Sequence, residues 1–168
     1  MLHFKFLNSK KFVWFVSLFI LLSLVTLSGF YLQSNEFLRV IGIKDGDTVV
    51  LLTNKKEEIV VRLSEIDAPE RNQAFGTVSR TYLSNLIFGK EVKLEKSGTD
   101  RYGRTLGFIF TLNGTNVNLD MVKKGMAWQY EKYSKSAILR LAQTEAKSQK
   151  LGLWRDPYPT PPWEFRRR

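Results

Sequence analysis

Three short stretches of this sequence concentrate the side chains able to do chemistry. The densest is Arg62-Leu63-Ser64-Glu65-Ile66-Asp67-Ala68-Pro69-Glu70-Arg71. It sets Asp67 and Glu70 beside Arg62 and Arg71 where a strand runs into a loop stiffened by Pro69. Carboxylates gathered at a strand end can hold a hard cation such as calcium through oxygen. An arginine beside them offers a planar fork suited to phosphate. The same residues also suit an ordinary solvated loop with a surface ion pair. The second stretch, Asp45-Gly46-Asp47-Thr48, reads on its own as a turn, because aspartate favours turns. The third, Asp100-Arg101-Tyr102-Gly103-Arg104, puts an aromatic ring between arginines. That arrangement suits base stacking with phosphate contact, and equally a hairpin turn with exposed charge.

Composition narrows the chemistry further. The 168 residues include no cysteine, so thiolate metal sites, disulfides and cysteine nucleophiles are excluded. The single histidine, His3, precedes the folded part, which removes histidine triads, histidine zinc sites and imidazole acid–base pairs. Catalysis here must use carboxylates, arginines, lysines, tyrosines or a metal held by oxygen. The net charge is +10, and residues 1–35 contribute only three lysines to it, so +7 belongs to the remainder. A basic domain is drawn to polyanions such as nucleic acid or anionic lipid. A basic surface kept for solubility is the plainer alternative.

The elements that must position these clusters follow from hydrophobic pattern. Phe37–Ile43, Thr48–Leu52 and Glu57–Leu63 are predicted as three strands joined by tight turns. Ala74–Phe88 has helical spacing and a stop at Gly89. Glu91–Lys96 and Leu106–Leu112 are predicted as the fourth and fifth strands, with the Asn113-Gly114 turn signal after them. Asn118–Lys124 and Ala137–Leu151 are predicted as helices stopped by Gly125 and Gly152. The order implies an α+β chain, mainly β: a five-stranded OB-type barrel with three helices. The proline-rich, basic tail 156–168 reads as an extended strap with Trp163 and Phe165 packed, or more sharply as a partner- or phosphate-binding tail.

The N-terminal region is of another kind. Residues 1–11 are a basic flank, and the run Phe12–Asn35 contains no charge. As a helix such a run would extend about 36 Å, against a hydrocarbon core of about 30 Å. The expectation is a transmembrane or signal-anchor helix over 12–34, with a nuclease-like domain over 37–155 outside the cytoplasm by the positive-inside rule. The alternative is a signal peptide cut near Leu27-Ser28-Gly29, which would release a secreted domain.

Taken together, DGDT, then R-L-x-x-I-D-A-P-E, then D-R-Y-G-R, in that order, resemble the staphylococcal nuclease (thermonuclease) family. The resemblance runs from about Leu38 to Trp154 and includes Gly125-Met126-Ala127-Trp128 and the segment from Ala142 to Lys147. It implies an OB barrel and a calcium-dependent endonuclease that hydrolyses DNA and RNA and leaves 3′-phosphate ends. By the same resemblance Asp47, Asp67 and the backbone carbonyl of Ala68 are expected to bind calcium. Glu70 is the expected general base, and Arg62 and Arg104 the phosphate-binding arginines. Arg101, Tyr102, Tyr130 and Tyr133 are candidates for contact with a single-stranded or otherwise flexible nucleic acid. A monomer is expected. The reading from another class is a membrane-tethered nucleic-acid-binding module without turnover.

Overall fold

The computed structural model describes residues 13–23 and 37–167. Contacts divide the chain into two units, Met1–Glu36 and Phe37–Arg168. In the first, residues 13–23 form a helix, α1. Residues 12 and 24–34 of the expected membrane segment lie outside the described residues. Among the described residues no helix is long and apolar enough to cross a membrane.

The second unit runs β1 (Phe37–Ile43), β2 (Thr48–Leu52), β3 (Glu58–Leu63), β4 (Ile66–Asp67), α2 (Gly76–Ile87), β5 (Glu91–Thr99) and β6 (Thr105–Thr111). It continues with α3 (Val117–Lys123), β7 (Trp128–Gln129), α4 (Ala137–Ser148), a 3-10 turn (Gly152–Arg155) and α5 (Pro162–Phe165). Strands β1, β2, β3, β6 and β5 close into a barrel in that order, and β4 and β7 form a separate two-stranded ladder. The five expected barrel strands and three expected helices are all present.

Alternation of apolar residues explains the barrel. Val49 and Leu51 of β2, Val61 and Leu63 of β3, Val92 of β5 and Ile109 of β6 are fully buried in one core. Irregular register at Val40/Gly42 in β1 and Lys96/Gly98 in β5 bends the strands toward closure. One pairing is parallel: β3 lies along β6 with Arg62 opposite Leu106. That pairing brings the end of the first acidic loop beside the strand that follows Arg104.

The helices are tied to the barrel by polar contacts as well as packing. Asn116 and Ser136 cap α3 and α4, each accepting from a backbone N–H three residues on. The buried Asn118 of α3 accepts from the Ile109 N–H and donates to the carbonyls of Ser64 and Gly107. A second apolar cluster forms around Trp128, Ala146, Leu153 and Trp154, with Trp163 of the tail packed on it.

Two expectations are corrected. The helix expected from Ala74 begins at Gly76, because Phe75 adopts a left-handed backbone (φ 71°) that cannot continue a helix. The tail is not extended throughout: Pro162 stands at the first position of α5, where its fixed φ suits a helix start.

Gly76 matters for the site because α2 starts against the loop that carries Glu70. A Cβ at this position would collide with the Glu70 carbonyl. Gly76→Ala is expected to lower stability by about 1–3 kcal/mol, the usual range for overpacking. Urea denaturation checks this, and an unchanged midpoint would contradict the close approach.

Candidate active site

The site is built where the β1–β2 turn meets the end of β3. Asp47 enters through that turn. Its N–H donates to Asp45 Oδ1 at 3.0 Å, and its carbonyl accepts the Leu63 N–H at 2.8 Å. Gly46 permits the approach, since a Cβ there would collide with Ser79 of α2 and crowd Ala68. The Asp47 carboxylate accepts from Thr48 Oγ1 at 3.0 Å and from the Ala68 N–H at 2.7 Å.

Arg62 joins the two aspartates. One terminal nitrogen donates to the carbonyls of Leu63 and Ile66, both at 2.8 Å. The other lies 2.7 Å from Asp67 Oδ1 and 3.1 Å from Asp47 Oδ2. Its side chain is only 12% exposed. The guanidinium is therefore already engaged by this chain through both terminal nitrogens.

Asp67 is held by β4, whose ladder with β7 sets it opposite Trp128. Its carboxylate is buried, whereas Glu70 in the following loop is 34% exposed. The Glu70 N–H donates to Gln73 Oε1, and its carbonyl accepts the Gln73 N–H. A second arginine completes the cluster. Arg166 donates to Asp67 Oδ2 at 2.7 Å and Oδ1 at 3.3 Å, and to Glu70 Oε1 at 2.5 Å. Burial would lower the Arg166 pKa, but its bonds and charge attraction to Asp67 and Glu70 more than offset this and raise it.

Arg104, Arg101 and Tyr102 form a separate group at the β5–β6 turn. Arg104 Nε donates to Asp100 Oδ2 at 2.7 Å, and Asp100 also accepts the N–H groups of Tyr102 and Arg104. Burial pushes Asp100 up, but these bonds outweigh it and hold its pKa below the usual carboxylate value. Tyr102 is exposed, with the Arg101 and Arg104 guanidiniums 4.8 and 5.6 Å from its ring centre. The β3–β6 pairing sets Thr105, next to Arg104, opposite Val61, next to Arg62, while Arg104 keeps its own carboxylate partner. Tyr130 follows β7 and donates its N–H to the Glu65 carbonyl. Its ring meets Tyr133 edge-on at 4.8 Å and lies parallel to Trp163 of the tail at 5.3 Å.

Three participants escaped the motif reading. Glu65 sits in a left-handed backbone (φ 66°), its carbonyl holds Tyr130, and its carboxylate accepts from Ser134 Oγ at 3.0 Å. The other two, Arg166 and Trp163, belong to the tail. Its run of aromatic and basic residues hints at a phosphate ligand, and nothing local to it names Asp67 as a partner.

Asp47 carries the largest electrostatic load. Burial raises its pKa from 3.8 to about 8, with Asp45 and Asp67 adding to the rise; Arg62 and the Ala68 N–H pull the other way. Asp47, Asp67 and Glu70 set three carboxyl groups against the guanidiniums of Arg62 and Arg166, and with Asp47 holding its proton the charges of the cluster balance. Oxygen donors of this kind suit a hard cation, whose charge would favour the ionised form of Asp47. Among the described residues, however, no three Asp, Glu, His or Cys side chains converge as a ready-made cage.

These features define a small barrel domain of OB type with an acid–arginine cluster between the β1–β2 turn and β4. The sequence carries the particular affiliation. The model of the family described as Staphylococcal nuclease homologue matches residues 60–156. The chain is 48% identical over 129 residues to an uncharacterized endonuclease of Haemophilus influenzae, covering 77% of this chain and 72% of that protein. It is 44% identical over 138 residues to the micrococcal nuclease of Shigella flexneri, covering 76% and 79%. A staphylococcal-like nuclease of Arabidopsis thaliana, CAN1, is 37% identical over 122 residues, covering 70% and 38%. The chain belongs to the staphylococcal nuclease homologue family.

The raised Asp47 pKa has a consequence for stability. A carboxyl that holds its proton more tightly folded than unfolded contributes stability at low pH, and loses it as pH rises through its folded value. Without added cation, Asp47→Asn is expected to gain stability relative to the unsubstituted chain between about pH 5 and about pH 8. Denaturant unfolding at several pH values checks it; parallel pH profiles for the two proteins would contradict the assignment.

Proposed function

We propose that this chain is a calcium-dependent endonuclease that hydrolyses phosphodiester bonds of DNA and RNA and leaves 3′-phosphate ends. The observation that carries the proposal is the meeting of Asp47 and Asp67 at Arg62, with Glu70 joined to Asp67 through Arg166, in a chain of this family. Relatives named as nucleases support the reaction class.

Asp47, Asp67 and the Ala68 carbonyl are the groups that would hold the cation. When bound, calcium would supply Lewis-acid charge to a phosphate oxygen and orient the water. The chain's own residues account for the rest. Glu70 is more exposed than Asp67, so its carboxylate can accept the proton of an attacking water while Asp67 stays buried. Arg62 places its charge beside the same acids and neutralises charge that builds on the phosphate oxygens. Arg104, released from Asp100 toward a phosphate, would do the same for the leaving oxygen. Tyr102 and Arg101 offer a face and a cation to a base and its phosphate, and Tyr130 and Tyr133 offer further faces. Contacts of this kind read backbone and base faces rather than base edges, which favours flexible single strands and weak sequence preference.

The uncharged run 12–35 supports a place outside the cytoplasm, with the domain tethered to the membrane or released by cleavage. A monomer satisfies the proposal, since every group it uses comes from one chain.

The test is cleavage of single-stranded DNA by the full chain, kept in solution with mild detergent. Activity is expected with calcium and not with a chelator. Glu70→Gln and Arg62→Ala are each expected to lose about 10²–10³-fold in rate. Folded protein that binds DNA in a salt-sensitive way but never cleaves it would overturn the proposal and favour the tethered binding module.

A further inference from the structure

The tail of this chain does two things at the site, and both use the surfaces that a ligand needs. Arg166 brings a positive charge to Asp67 Oδ2 and Glu70 Oε1. With Arg62 on Oδ1, both oxygens of Asp67 are then engaged by guanidinium groups. Trp163 lies flat on Tyr130, with 3° between the planes, as a base would. A cation or a nucleotide entering here meets groups of its own kind already in place.

The docking is of a sort that can be undone. The Arg166 side chain is 41% exposed, although the carboxylate that it covers is 1% exposed. Between Glu70 and α5 the tail is held by a hydrogen bond from Gln73 Nε2 to the Thr160 carbonyl and by the Trp163 ring contacts. The tail forms one wall of an open cleft of about 310 Å³, with Pro69, Phe75, Trp128 and Leu153 on the other side and Pro159 and Phe165 from the tail.

We infer that segment 156–167 is a built-in plug: Arg166 stands in for the divalent cation and Trp163 for the stacked base, and the tail must leave for either to bind. The inference rests on the calcium-dependent reading of the site. It also separates Arg166 from Arg62 and Arg104. A third phosphate-binding arginine would stay and help the reaction, whereas a plug competes with the cation.

Linkage makes the competition measurable from both sides, because what the cation does to the tail the tail must do to the cation. Calorimetric titration of the full chain with calcium chloride is expected to show about tenfold tighter binding in Arg166→Ala, within the usual range of such couplings. Arg167→Ala removes the same charge one residue further on, and is expected to show a much smaller gain. Hydrogen exchange gives the reverse reading. The N–H groups of residues 164–167 bond to the carbonyls of Pro161, Pro162 and Glu164. Calcium is expected to speed their exchange while the barrel strands stay protected.

Equal calcium affinity in the unsubstituted chain and Arg166→Ala would overturn the plug and leave the calcium site standing. So would equal gains in Arg166→Ala and Arg167→Ala, or calcium that slows tail exchange. No calcium binding by either folded protein would overturn the calcium reading itself, and the plug with it.

Discussion

The guanidinium of Arg62 is the contact on which the rest of the site depends. It reaches from β3 to the carbonyls of Leu63 and Ile66 and to two aspartates, one from the β1–β2 turn and one from β4. Buried like charges repel, and Arg62 between Asp47 and Asp67 offsets part of that repulsion. A charge of this kind is costly to bury and more costly to leave unpaired. Removing Arg62 would therefore expose the two acids to each other as well as weaken any hold on phosphate. Burial raises the pKa of Asp47 by more than the attraction of Arg62 lowers it.

The barrel exists in service of that geometry. The β1–β2 turn supplies Asp47, the end of β3 supplies Arg62, and β4 supplies Asp67 through its short pairing with β7. The parallel register of β3 with β6 then brings the Arg104 turn alongside. Buried polar contacts, above all those of Asn118, fix α3 against the Ser64 and Gly107 carbonyls and so lock the strand end that carries the loop. Each of these links is longer in sequence than the motif it supports.

That difference in range explains how much could be read in advance. The barrel strands were legible to within a few residues because alternation of apolar side chains is a local signal. So were the acid and arginine clusters, since each is contiguous. The extension of β5 to Thr99 was not, because Ser97-Gly98-Thr99 is polar and pairs only through its partner strand. The two-residue β4–β7 ladder has no pattern to detect. Proline pointed to an extended tail, and Pro162 instead opens a helix turn. Arg166 was invisible as a site residue because its partner lies 99 positions away.

That long separation bears on the order in which the molecule comes apart. Closing a long stretch of chain costs entropy, and segments with few buried contacts open locally well before a domain unfolds as a whole. Of residues 156–167 only Pro162 is buried, whereas the main core cluster draws on residues from Leu38 to Ala142. The acids therefore lie on a seam between a cooperative unit and one that frays. Mild warming or dilute denaturant would bare them while every barrel strand is still paired. The plug reading makes loss of the tail contact and loss of the fold separate events, at separate free energies.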